Sequence, residues 1–176
     1  LKAWWDQNGK SLLITIAATL IAVFGVNTWM ERQQQMAEMA SLQYQRMMGA
    51  FEKSSDEATT FGLAVIKNYP ASHYATLAAL RLAKSSIDQG ENAKAEKHLS
   101  WVVENGSGQL YSDIARIRLA RLLLSEQRPD EGLTVLDEIG TVTLAASVDE
   151  VRGDILLHQG DRKAARSLYL NAQAGY

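Results

Sequence analysis

The 176-residue sequence contains no cysteine, only two prolines and no excess of charge of either sign. Without cysteine, disulfides, thiolate metal sites and cysteine nucleophiles are excluded. The 18 Lys and Arg side chains nearly balance the 20 Asp and Glu, and a net charge of −2 argues against a nucleic-acid partner. Ala and Leu are abundant and β-branched runs are few, which argues against an all-β fold. The composition therefore predicts an all-α protein.

Residue types that carry enzymatic chemistry are sparse and scattered. The three histidines, His73, His98 and His158, are far apart in the sequence and form no metal-ligand spacing such as HExxH. No glycine-rich phosphate loop follows a strand pattern. We therefore predict that the chain is not an enzyme, holds no metal or other cofactor, and has no small-molecule substrate.

A charge-free apolar stretch covers residues 11–30. At about 1.5 Å per residue, a helix of this length spans roughly 30 Å, which matches the hydrocarbon core of a bilayer. Trp5 and Trp29 flank it, as is typical of the two membrane interfaces. A buried core helix and a cleaved signal peptide are the alternatives, but the run is longer than a signal peptide's apolar core and no small-residue cleavage site follows. We predict a short segment 1–10, a transmembrane helix 11–30 and a soluble domain 31–176.

The charges that flank the predicted span do not determine its orientation. Lys2 and Lys10 precede it, and Arg32 and Arg46 follow, so the positive-inside comparison is nearly tied. Orientation therefore has to come from other observations.

One face of the predicted span carries a row of small side chains near helical spacing, namely Ala18, Ala22, Gly25 and Thr28. Small residues in such a row allow two helices to approach closely in lipid. We interpret this row as a candidate packing face for another membrane helix. The alternative is that it faces lipid.

Residues after the span show a repeat with a spacing near 34. In each unit an amphipathic helix, a short polar turn and a second helix follow one another, and a small residue stands at the same place in each second helix, as at Ala95, Gly132 and Ala165. This spacing is typical of tetratricopeptide repeats, which stack into a solenoid. We predict a tetratricopeptide-like helical-hairpin solenoid with units at about 36–70, 75–107, 112–142 and 147–174.

The first unit has an apolar stripe at helical spacing: Met36, Ala40, Tyr44, Met47 and Phe51. We interpret it as a face that packs on the next helix of the same domain. Partner contact is the alternative, because methionine recurs on adaptable binding surfaces.

In a solenoid of this kind the first helix of each pair lines a groove. Its predicted lining side chains are Leu77, Leu80, Lys84, Asp88, Ile114, Ile117, Arg121, Ser125, Glu150, Asp154 and His158. Apolar, acidic and basic groups are mixed here. The lining therefore favours a folded partner domain or an extended peptide over a single acidic motif.

Two stretches of the sequence are specific enough to indicate a resemblance to a known protein family. LKAWWDQNGK precedes the predicted span, and the stretch from Arg152 to Tyr169 reads RGD…GD-x-x-x-A-R-x-x-Y. Together with the layout, they resemble the ancillary SecYEG translocon subunit family of Gram-negative bacteria (YfgM-like). The resemblance covers essentially the whole chain. It also leads us to expect a further helix after Tyr176. We expect an additional piece before Leu1 as well, because the sequence begins with Leu and not with Met.

The resemblance implies a non-enzymatic inner-membrane protein with a cytoplasmic N-terminus, one span and a periplasmic solenoid. It further implies association with the SecYEG channel and with a PpiD-like periplasmic chaperone, and a role in passing exported proteins from the channel to periplasmic chaperones. The alternative is a membrane-anchored scaffold in outer-membrane biogenesis or division. Such repeat proteins are commonly lipoproteins or soluble, so the absence of a lipobox cysteine and the uncleaved span favour the translocon function.

Overall fold

The computed structural model describes the backbone of residues 2–175, and their side chains except those of 2–7, 9 and 11–13. Within this part the chain is all-α, as predicted, with no strand. The elements are α1 (Lys2–Phe51), α2 (Ser55–Asn68), α3 (His73–Asp88), α4 (Asn92–Asn105), α5 (Gln109–Ser125), α6 (Pro129–Asp137), a 3₁₀ turn (Val142–Leu144), α7 (Ala145–His158) and α8 (Arg162–Ala174). They form two compact units, Leu1–Met39 and Ala40–Tyr176.

The described residues of the unit Leu1–Met39 belong to α1, and the large apolar side chains described there are exposed. Ile14, Leu20 and Phe24 are 68%, 64% and 74% exposed. Among the described residues, one helical stretch, within Ile14–Phe51, is long and apolar enough to cross a membrane, and its most apolar window is not buried. A core helix of a soluble protein would be buried, so this stretch is a candidate span. The predicted start, residues 11–13, lies outside the described side chains.

In the unit Ala40–Tyr176, side-chain caps and turn glycines mark several of the helix ends. The Ser72 and Asp161 side chains accept hydrogen bonds from the backbone N–H groups of Ala75 and Ala164, at 3.2 and 3.0 Å, and cap α3 and α8. Gly90 and Gly160 take φ values of +73° and +91° in the turns after α3 and α7. Only glycine adopts this backbone without strain. These turns fold the chain back into antiparallel pairs.

The hydrophobic core runs through the helix pairs as three clusters. The first joins α1, α2 and α3 around Met47, Val65 and Leu82. The second fills the space between α3, α4 and α5, and the third lies between α5, α6 and α7. Ala40 and Met47 are fully buried and Tyr44 and Phe51 are half-buried, which confirms that these four residues of the apolar stripe pack inside their own domain. Met36, the first residue of the predicted stripe, is 48% exposed and lies outside this core.

A small residue stands at the same place in the second helix of each pair. Ala58, Ala95, Gly132 and Ala165 are each the fourth residue of α2, α4, α6 and α8, and all four are buried. A Cβ atom built on Gly132 would lie 3.1 Å from Ile155 Cδ1 and 3.3 Å from the Ala120 carbonyl oxygen. At Gly132 the backbone therefore lies so close to its neighbours that a larger side chain has little room.

In the last pair, α7 and α8, the two side chains that meet between the helices differ in size from those of the earlier pairs. Gly153 precedes the small residue of its second helix by the same number of positions as Ala83 and Ala120 do in the earlier pairs. Tyr169 follows that small residue as Leu99 and Leu136 do. A Cβ atom on Gly153 would lie only 2.7 Å from Tyr169 Cε1. The larger ring therefore requires the smaller partner. This contact explains why the stretch from Arg152 to Tyr169 combines a glycine at position 153 with a tyrosine at position 169.

We expect Gly153→Ala to lower the free energy of unfolding by about 1 kcal/mol, because crowding of about 1–3 kcal/mol outweighs the better helix propensity of alanine. The double variant Gly153→Ala with Tyr169→Leu recreates the Ala–Leu pairing of the other pairs. In it the methyl group of Ala at position 153 meets the smaller leucine and has room, so Gly153→Ala should cost less there than in the parent chain. A double-mutant cycle by chemical denaturation measures the coupling. Additive effects would contradict a direct clash.

Charged side chains also connect neighbouring pairs. Arg128, which precedes α6, donates to both carboxylate oxygens of Glu96 on α4 at 2.8 and 3.1 Å. It also donates to both oxygens of Glu131 at 2.7 Å. The hydrogen bonds and charge of Arg128 hold the pKa of Glu131 below its usual range. One guanidinium thus ties the second helix of one pair to that of the next.

Candidate partner-binding surface

The structure separates the predicted groove residues into three levels of exposure. Leu80 and Ile117 are buried in the hydrophobic core, at 8% and 5% exposure, because the neighbouring helices cover them. Leu77, Ile114, Glu150 and Asp154 are half-buried, and Lys84, Asp88, Arg121, Ser125 and His158 are exposed. Leu80 and Ile117 therefore belong to the core, and the other nine remain candidates for partner contact.

Several charges on this face pair with one another. Lys84 Nζ lies 2.9 Å from an oxygen of Asp88 on α3. Arg121 of α5 lies 3.4 Å from Glu150 of α7, and both side chains are about half exposed. This second pair brings two predicted groove residues together from successive first helices. Exposed pairs of this kind contribute little to stability, so breaking them costs the fold little.

The far end of the face is shaped by the contact between α7 and α8. The Tyr169 hydroxyl donates to the Asp154 carboxylate at 2.8 Å. Burial, together with this hydrogen bond, raises the pKa of Tyr169 to about 12. Asp154 is thus held in place by α8 and presents a fixed acceptor at the edge of the face.

Aromatic contacts near the first pair were not assigned to the groove from the sequence. The rings of Tyr44 and Tyr74 lie with their centroids 5.7 Å apart, and the Arg81 guanidinium lies 4.9 Å from the centroid of the Phe51 ring. All four side chains are half-buried. Tyrosine and arginine are enriched at protein interfaces. The only signal available in the sequence was the helical stripe that contains Tyr44 and Phe51.

The predicted packing face on α1 is open in the structure. Ala18, Ala22 and Gly25 are exposed and Thr28 is half-buried. The Thr28 hydroxyl donates to the Phe24 carbonyl oxygen at 2.9 Å, so the helix itself satisfies this polar group, as lipid requires. A Cβ atom on Gly25 would meet nothing within 4 Å. The face can therefore receive another helix, and its use for that purpose stays a prediction.

Side chains that could hold a metal ion do not cluster in the part of the chain described. Among the described residues, no group of three or more His, Asp or Glu side chains is arranged so that it could hold a metal ion. The polar groups of the face instead make hydrogen bonds and ion pairs within and between helices.

Paired helices with a small residue at the fourth position of each second helix are the architecture of tetratricopeptide-like domains. The family model of the tetratricopeptide repeat-like domain matches residues 2–176, and the chain belongs to this family.

Curated relatives are similar over nearly the whole chain. The protein named ancillary SecYEG translocon subunit of Escherichia coli (strain K12) is 29% identical over 172 residues, which cover 96% of this chain and 82% of that protein. The protein of the same name from Aggregatibacter actinomycetemcomitans is 27% identical over 173 residues, covering 98% and 85%. The Haemophilus influenzae (strain ATCC 51907 / DSM 11121 / KW20 / Rd) protein of that name is 23% identical over 173 residues. These likenesses confirm the family resemblance identified from the sequence.

Proposed function

We propose that this chain is a non-enzymatic ancillary subunit of the SecYEG translocon in the bacterial inner membrane. The observation that carries the proposal is the similarity over 96–98% of the chain to relatives of that name. In the proposed topology, residues 1–10 are cytoplasmic, residues 11–30 span the bilayer and residues 31–176 are periplasmic. The exposed apolar stretch of α1 supports an anchor at this end of the chain.

The solenoid is proposed to dock a PpiD-like chaperone and to help transfer exported proteins from the channel to periplasmic chaperones. The mixed face that contains Ser125, Glu150 and His158 is the proposed docking surface. The span keeps this face near the translocon exit, and a tether raises the effective concentration of a weak binding surface. Two modest contacts, one in the membrane and one outside it, then give a stable association.

Topology can be tested with single cysteines, because the native chain has none. Val142 is 85% exposed, so Val142→Cys should react with a membrane-impermeant maleimide in spheroplasts. Lys10→Cys should react only after the inner membrane is permeabilised. The reverse labelling pattern would overturn the periplasmic placement of the solenoid.

Association is tested by comparing what co-purifies with three versions of the chain. We expect the intact chain to recover SecY and the chaperone, and we expect recovery of SecY to fall when an unrelated membrane helix replaces residues 11–30. Undiminished recovery of both partners would mean that the span is only an anchor. If neither partner co-purifies with the intact chain, the translocon assignment fails and a scaffold in another envelope-assembly process takes its place.

The docking face is tested by the third version, in which Ser125→Glu is combined with His158→Glu. Both positions are exposed, so the fold is retained, and we expect recovery of the chaperone to fall while that of SecY is kept. Lys97→Glu, at an exposed position on α4, is the matched control for an added negative charge. Equal recovery of the chaperone from the groove variant and the control would place the docking surface elsewhere.

A further inference from the structure

The connection between α6 and α7 is the longest between helix pairs. It covers residues 138–144, whereas the connection between α4 and α5 covers only 106–108. It contains Gly140, whose built Cβ would meet nothing within 4 Å, and Val142, which is 85% exposed. Ile139 and Leu144 pack against the cluster between α5, α6 and α7, so apolar contacts restrain the two ends of the segment. Its exposed middle needs polar contacts to hold it in one conformation.

A fully buried carboxylate on α5 supplies such contacts. Asp113 accepts hydrogen bonds from the Thr141 backbone N–H at 3.1 Å and from the Thr141 hydroxyl at 2.5 Å. Its other oxygen accepts from Gln109 at 2.8 Å and from Arg116 at 3.0 Å. Arg116 in turn donates to Glu138 at 3.2 Å. Together Asp113 and Arg116 hold the connection both at its start and at its middle.

The equivalent position one pair earlier makes the same kind of contact. Thr76 precedes Asp113 by the 37 residues that also separate Ala95 from Gly132. Its hydroxyl accepts from the Ser107 backbone N–H at 2.9 Å, in the three-residue connection between α4 and α5. Like Asp113, Thr76 is 0% exposed. A short connection is thus held by one neutral hydrogen bond, and the long one by a charged network.

We propose that Asp113 and Arg116 form a clamp that fixes the α6–α7 connection and thereby sets the position of the last pair, α7–α8, against α5. The Arg121–Glu150 contact spans the same α5–α7 boundary, so the clamp also sets the opening of the groove there. This inference rests on contacts inside the solenoid and is independent of the proposed function.

The clamp can be tested in the full-length chain by spin-label distance measurements. Arg118→Cys on α5 and Arg166→Cys on α8 provide two exposed label sites in a chain without native cysteine. We expect Asp113→Asn to widen the distance distribution about twofold, because two of the donors around this carboxylate then face an amide N–H₂. Labels at Lys97→Cys and Arg118→Cys, across the α4–α5 boundary, should keep their distribution.

Two milder variants distinguish loss of the clamp from general unfolding of the domain. Arg116→Gln removes the contact with Glu138, and Thr141→Val removes the hydroxyl donor to Asp113. Each should widen the Arg118–Arg166 label distribution in the same direction, and Asp88→Asn on α3 should not. If both variants melt at the temperature of the parent chain and leave the distribution unchanged, the clamp is overturned. Equal widening of the Lys97–Arg118 control pair would also overturn it, because the effect would then be general loosening.

Discussion

Replacing Asp113 with alanine is expected to lower the free energy of unfolding by about 3–5 kcal/mol, the range measured when one partner of a buried ion pair is removed. The carboxylate is 0% exposed, and the side chain of its partner Arg116 is 14% exposed. Its removal leaves the Thr141 N–H without this acceptor and takes away the buried partner of the Arg116 guanidinium, which keeps its contact with the exposed Glu138. Guanidinium or urea denaturation of the full-length chain in detergent measures the loss.

The matched control is Asp88→Ala. Asp88 also pairs with a cation, Lys84, but both side chains are 59% exposed. Exposed pairs contribute roughly 0–1 kcal/mol, so this variant should unfold close to the parent chain. Equal losses for the two aspartates would show that burial does not control the strength of the Asp113 network.

The same network predicts how stability depends on pH. Burial alone would raise the pKa of Asp113, but hydrogen bonds from Thr141 and Gln109, with the charge of Arg116, hold this pKa below its usual value. Such a carboxyl stabilises the fold above its unfolded pKa, near 3.9, and this contribution is lost as the pH falls through the folded pKa. The parent chain should therefore lose stability on acidification below about pH 4 more steeply than Asp113→Asn.

The all-α fold was predictable because it is encoded locally. Polar turns between amphipathic segments, glycines in those turns and small residues at a regular spacing are visible in the letters alone. The exposed stretch of α1 was predictable for the same reason, since a long charge-free run needs no tertiary context to be recognised. Each of these signals lies within about 35 residues, the length of one repeat unit.

The sequence could not show which residues the neighbouring pairs cover. Leu80 and Ile117 were assigned to the groove by their place in the repeat, but contacts from adjacent helices bury them. The sequence did not single out Asp113, because its partner Thr141 lies 28 residues away, in the connection between α6 and α7. Burial and charge pairing of this kind depend on how one hairpin stacks on the next.

Leucine in place of any of the small residues at the helix crossings is expected to cost about 1–3 kcal/mol, since added methylenes in a packed interior force backbone or side-chain shifts. The positions are Ala95, Gly132 and Ala165, which lie on three different second helices. At Gly132 the leucine would extend from a Cβ already 3.1 Å from Ile155 and 3.3 Å from the Ala120 carbonyl oxygen. Backbone cannot move aside as easily as the end of a side chain.

Ala93→Leu is the control for this substitution, because Ala93 lies on α4 two residues before Ala95 and its side chain is exposed. The same change of side chain there alters helix propensity by only a few tenths of a kcal/mol, so it should leave the melting temperature nearly unchanged. The loss at the three buried positions then measures crowding between paired helices. If all three variants melt like the parent, the alignment of the repeat units is wrong, and the close approach at Gly132 is not a shared feature of the pairs.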